Sequence, residues 1–145
     1  MNPNIAYISK LSGIESEEFH KKHWGIYMAS NNLKEFLEYR DRMNKRILDS
    51  DNLELRRFFA LDSAVYREGA LPERTKELIG LAASVVLRCN DCILYHLKQC
   101  IDKGVTDDEF EETLSIALVV GGSITIPHLR YAFEMIDKIR QSNGY

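Results

Sequence analysis

Apolar residues recur along most of the chain at spacings of three and four, the period of a helix rather than of a strand. Residues 1–14 read as a loosely structured arm. Behind Ser16, a suitable cap, Phe19, Trp24, Ile26, Tyr27 and Met28 form a rough stripe that Asn31-Asn32 interrupts. Leu33, Phe36, Leu37, Tyr39, Met43 and Ile47 carry a second helix to about Leu48, with charges on its other face. Asp49-Ser50-Asp51-Asn52 reads as a turn. A third helix over 53–66 has Leu55, Phe58, Phe59, Leu61 and Val65 as its core face, and Gly69 suits a left-handed residue after its end. The fourth runs from Pro72 to about Leu87, with proline in the first turn, where its missing N–H costs nothing. From Leu78 to Leu87 it is apolar nearly all round, which predicts burial. Asn90-Asp91 offer caps for a fifth helix that Gly104 stops. Thr106 and Glu109 have the spacing of a capping box for a sixth, which ends at Gly121-Gly122. The last begins near Ser123 or Pro127 and runs to about Arg140. No segment alternates like a strand, and nothing repeats. The pattern predicts an all-α bundle of about six or seven helices. It reads as one domain over 1–145, with 1–57 a helical extension and 58–140 carrying the chemistry.

Composition narrows the partners. The 145 residues suffice for one domain with a core. Nineteen basic and 22 acidic residues leave a net charge of −3, which gives no field to attract nucleic acid or an anionic membrane. No apolar run approaches the roughly 18 residues that a membrane span needs. Met1-Asn2-Pro3-Asn4 lacks the charged-then-apolar pattern of a secretory signal, so a cytoplasmic protein is expected. Three cysteines make a poor disulfide framework; a reactive pair in a reducing compartment fits better.

The chemistry concentrates between Glu77 and His96. Cys89 and Cys92 are three apart, His96 follows Cys92 by four, and Glu77 precedes Cys89 by twelve. If the chain is helical from Cys89 onward, Cys89, Cys92 and His96 share a face. A thiol pair beside an imidazole can do redox or nucleophilic chemistry, because a helix N-terminus and a nearby imidazole stabilise the attacking thiolate. Zinc usually takes four ligands, often from two such pairs, so no metal is expected; two packed core thiols are the other alternative. Alone, His96 suits a satisfied helix histidine as well as a base; its spacing from Cys92 favours the proton acceptor. Glu77 sits on a helix turning apolar, either at the rim or buried with a partner. Unbroken helix would place it about 18 Å from Cys89, so a shared site needs the chain to fold back. Cys100 reads as a packed thiol. His128 either lines a pocket or is a capping or surface histidine, and His20 and His23 read as surface residues. The acidic run from Asp107 to Glu112 reads as a solvated helix start.

Glu77, Cys89, Cys92 and His96, at spacings of twelve, three and four, resemble the signature of the alkyl hydroperoxidase D-like group within the carboxymuconolactone decarboxylase superfamily. The resemblance covers about Phe58 to Met135. It includes Leu61-Asp62 to Leu71-Pro72, Gly121-Gly122 and Pro127-His128. It implies an all-helical fold, homo-oligomers (commonly trimers or hexamers), and reduction of a hydroperoxide through Cys89 and Cys92, with His96 and Glu77 relaying the proton. It implies no bound organic cofactor, the electrons coming from an external dithiol or thiol protein. Relatives that decarboxylate a lactone acid lack the cysteine pair, yet a decarboxylase and a dithiol sensor remain the alternatives on the same residues. Asn90-Asp91 stand where well-known peroxidases of the group carry a histidine, a departure that bears on thiol acidity. The apolar helix 78–87 and Gly121-Gly122 independently favour association. Cys92, four residues from His96, is expected to attack the peroxide. Cys89 is expected to resolve it and, nearer the helix start, to be the more exposed thiol.

Overall fold

In the computed structural model, residues 33–143 are described; the helix expected behind Ser16, with His20, His23 and Trp24, lies outside them. The chain divides into two compact units, Met1–Arg46 and Ile47–Tyr145. Six α-helices occur among the described residues, with one 3-10 turn and no strand. They are α1 (Leu33–Leu48), α2 (Leu53–Val65), α3 (Glu73–Val86), α4 (Asn90–Asp102), α5 (Asp107–Gly121) and α6 (Ile126–Asn143). The turn is Ser123–Thr125.

The starts and stops follow local chemistry. The Asn52 side chain accepts from the N–H groups of Glu54 and Leu55 to begin α2. Thr106 and Glu109 close a reciprocal capping box on α5. Gly104 and Gly122 end their helices at φ of 72° and 74°. Gly69, by contrast, does not take the left-handed conformation. The end of α2 is fastened by Lys76, whose Nζ donates to the carbonyls of Val65 and Arg67 at 2.8 and 2.5 Å.

α3 packs along α4 and α5, and α4 along α6. Contacts between their ends give the directions. Lys103 pairs with Glu73 at 3.0 Å, so α4 runs antiparallel to α3. Arg74 pairs with Glu109, and a Cβ built on Gly121 would touch Val86, so α5 runs parallel to α3. Arg140 on the last turns of α6 reaches Asp107 at the start of α5, at 2.6 Å. The core lies between these four helices: Leu81 and Val85, Ile93, Leu94 and Leu97, Phe110 and Leu114, and Ala132 and Ile139 are all but inaccessible.

Two expectations about burial are corrected. α2 has the predicted helical stripe but buries none of its side chains; Phe58 is 67% exposed and Leu61 62%. Among the described residues, no layer covers the stripe. α3 buries only one side, Glu77, Gly80, Leu81, Ser84 and Val85, and leaves Ile79 and, just past its end, Leu87 exposed. Among the described residues its two helical partners cover one stripe, in which Glu77, Gly80 and Ser84 sit beside Leu81 and Val85.

Candidate active site

Everything turns on the reversal between α3 and α4. Leu87 and Arg88 close the last turn of α3 onto the carbonyls of Ala83 and Val85, and the Cys89 N–H reaches back to Ser84 at 3.0 Å. Arg88 does this at φ 61°, a conformation that costs a non-glycine residue about 1 kcal/mol or more. The reversal folds α4 back along α3 and brings Glu77 to His96: Oε2 and Nδ1 are 2.8 Å apart. Both residues are buried, at 3% and 8% exposure. The fold-back that a shared site required is therefore present.

Glycine makes this approach possible. Gly80 lies one turn after Glu77 on α3. A Cβ there would stand 2.6 Å from His96 Cε1, 2.9 Å from His96 Nδ1 and 2.7 Å from the Tyr66 hydroxyl. Tyr66, the C-cap of α2, stacks at a tilt over the imidazole, with centroids 5.4 Å apart, and Tyr95 meets it edge-on at 5.1 Å. Burial first, and then the negative charge of Glu77, raise the Tyr66 pKa, so its hydroxyl remains a proton donor. Sequence reasoning placed Tyr66 only at a helix end, because nothing in its spacing links it to His96.

The sulfur end is built differently. Cys89 and Cys92 are joined by a disulfide across Cα atoms 5.2 Å apart. Cys89 is the N-cap of α4, and its Sγ accepts from the Cys92 N–H at 3.3 Å. Asn90-Asp91 are thus not the caps that their residue types suggested. The Asn90 oxygen is already engaged by His128 Nδ1 at 2.7 Å. The expected exposures are also reversed: Cys92 is exposed and Cys89 half-buried, because the N-cap sulfur turns in toward the first turn of the helix. Cys100 is free and fully buried, and burial pushes its thiol up to about 12, which removes it from thiolate chemistry. His128 is buried against Asn90; burial, then the charge of Arg88, lowers its pKa. Among the described residues, no three of His, Cys, Asp and Glu are grouped to hold a metal ion.

The sequence profile of the carboxymuconolactone decarboxylase family matches residues 53–135. The chain belongs to this family. The match begins with α2 and runs well into α6, taking in every residue of the site. Among solved structures, the Thermotoga maritima protein TM1620 is 53% identical, with a TM-score of 0.74 over 77% of this chain and 97% of that one. A role in the antioxidative response has been suggested for TM1620. A Legionella pneumophila protein of the same family is 26% identical, with a TM-score of 0.69 over 75% of this chain and 97% of its own. An uncharacterized protein from the cox locus of Paracoccus denitrificans is 33% identical over 82 residues, 57% of this chain and 74% of that one. No described helix is long and apolar enough to cross a membrane.

Proposed function

We propose that this family member is a thiol-dependent peroxidase and disulfide oxidoreductase working through Cys89 and Cys92. The observation that carries the reading is a disulfide at the N-terminus of α4 with Cys92 exposed, and one turn further along that helix His96, buried against Glu77 of α3. The antioxidative role suggested for TM1620 supports it.

In the reduced protein the Cys92 thiolate attacks one oxygen of a hydroperoxide. The O–O bond breaks, the alkoxide leaves with a proton, and Cys92 becomes a sulfenic acid. His96 serves as the local proton carrier: Glu77 accepts from Nδ1–H and leaves Nε2 to take and return the proton. Cys89 then attacks Cys92 Sγ; the S–O bond breaks, water leaves, and the disulfide forms. An external dithiol supplies two electrons. Its thiolate attacks the exposed Cys92 sulfur, Cys89 departs as a thiolate stabilised at the helix N-terminus, and the donor's second thiol releases the reduced protein. The sum is hydroperoxide plus dithiol to alcohol, water and oxidised donor. The apolar stripe of α2, uncovered among the described residues, suits burial against a second copy of the chain, in keeping with a homo-oligomer.

The test is hydroperoxide consumption with a panel of dithiol donors, on wild type and on the Cys89→Ser/Cys92→Ser variant. Catalytic turnover in the first and none in the second is expected. One equivalent consumed without turnover would mark a sensor. Release of CO2 from a lactone acid by the double variant would mark a decarboxylase.

A further inference from the structure

His128 is a buried imidazole that this chemistry does not use. It stands in the first turn of α6, and its Nδ1 lies 2.7 Å from Oδ1 of Asn90, between the two cysteines. An amide oxygen only accepts, so Nδ1 carries the proton. The lowered pKa keeps the ring neutral near pH 7, with this as its one N–H. Asn90 is the first residue of α4. An asparagine oxygen that nothing else holds bonds neighbouring backbone N–H groups, including the one two residues on, which here is that of Cys92. One of those groups already serves sulfur: the Cys92 N–H donates to Cys89 Sγ.

We propose that His128 is a positioning residue of the redox pair: by occupying Asn90 Oδ1 it keeps that side chain off the first turn of α4 and leaves the Cys92 N–H to the Cys89 sulfur. This rests on Cys89 and Cys92 forming a working redox couple, and not on which oxidant they meet. A thiolate accepts a hydrogen bond more strongly than a disulfide sulfur does, so the N–H favours the reduced, ionised pair. When the asparagine oxygen competes for that N–H, the reduced state loses stabilisation and the couple becomes less oxidising.

The experiment equilibrates the protein with glutathione at fixed pH and measures the reduced fraction. His128→Ala is expected to lower the equilibrium constant for reduction about fivefold to tenfold, tenfold corresponding to about 30 mV toward more negative potential. His128→Asn, whose amide nitrogen donates from nearly the same place, is expected to keep the wild-type potential. Adding Asn90→Ala to His128→Ala is expected to restore the potential, because the competing oxygen is gone. His128→Leu fills the space without a donor and is expected to show the same drop if His128→Ala does not fold. A wild-type potential in folded His128→Ala or His128→Leu overturns the proposal. So does a double variant that stays as low as His128→Ala, since the histidine would then act by packing. Absence of any reversible couple in the wild type overturns the redox reading together with this one, whereas equal potentials overturn this one alone.

Discussion

The two parts of the candidate site on α4 are built on opposite principles. At its N-terminus the sulfur pair is reachable: Cys92 is exposed, and Cys89 is half-buried at the helix start. One turn further, His96 is buried, hydrogen-bonded to Glu77 and enclosed by Tyr66, Tyr95 and the surface of Gly80. A group that exchanges electrons with outside partners has to be touched by them. A group that holds a proton works best fixed and away from bulk water, where its hydrogen bond is strong. The contrast means that damage to the two regions ought to look different. Changes at the sulfurs should remove chemistry and spare the fold; changes at the imidazole should cost both.

The largest expected effect is at the exposed end. Cys92→Ser should reduce dithiol-dependent peroxide turnover to the uncatalysed rate. The stability of the reduced protein should stay within about 0.5 kcal/mol of wild type, as for other surface substitutions. Peroxide assays beside urea melts of the reduced proteins check both halves. His96→Ala comes next: the first reaction of Cys92 should slow by about 10²–10⁴. It should also destabilise by about 3 kcal/mol, because it leaves Glu77 buried without its partner. Loss of rate with unchanged stability would mean that the pair is less enclosed than described.

Gly80→Ala strikes the seat of the imidazole. Alanine improves helix propensity by up to about 1 kcal/mol, but the new methyl meets His96 and Tyr66 well inside contact distance. Overpacking of this kind costs about 1–3 kcal/mol, so net destabilisation is expected, together with a slower thiol reaction as the imidazole is displaced. A stabilised, fully active Gly80→Ala would break the account of how His96 is seated.

The smallest effect concerns Cys100, the third thiol of the same helix. Burial holds its pKa near 12, far above the ordinary thiol value. The folded state therefore keeps its proton where the unfolded state loses it. Between about pH 9 and 12 stability should fall as pH rises, and Cys100→Ala should flatten that decline. At pH 8 an alkylating reagent should label Cys89 and Cys92 of the reduced protein and leave Cys100 untouched, as read by peptide mass mapping.

The parts of this arrangement that were legible in the sequence are those that depend on one helix. Thr106 and Glu109 announce a cap, and Cys100 repeats the apolar period of the core. What depends on two helices was less visible. Glu77 reaches His96 only because Arg88 adopts a left-handed backbone, for which arginine carries no signal. Tyr66 comes to the imidazole because Gly80 opens a surface and Lys76 fastens the end of α2. Asn90 looks like a cap until His128, 38 positions later, takes its oxygen. The stripe of α2 was readable as a helix but not as an exposed one, since periodicity shows which face is apolar and not what lies against it.

The most direct test of the central claim is a single-turnover experiment on reduced Cys89→Ser. One equivalent of hydroperoxide is added, and the sulfenic acid is trapped with a dimedone-type reagent and located by mass spectrometry. One adduct is expected, on Cys92, formed at close to the wild-type rate and much more slowly when His96→Ala is added. An unmodified Cys92, or a Cys92→Ser protein that consumes its equivalent at the wild-type rate, would contradict the assignment of Cys92 as the attacking thiol and of His96 as its base.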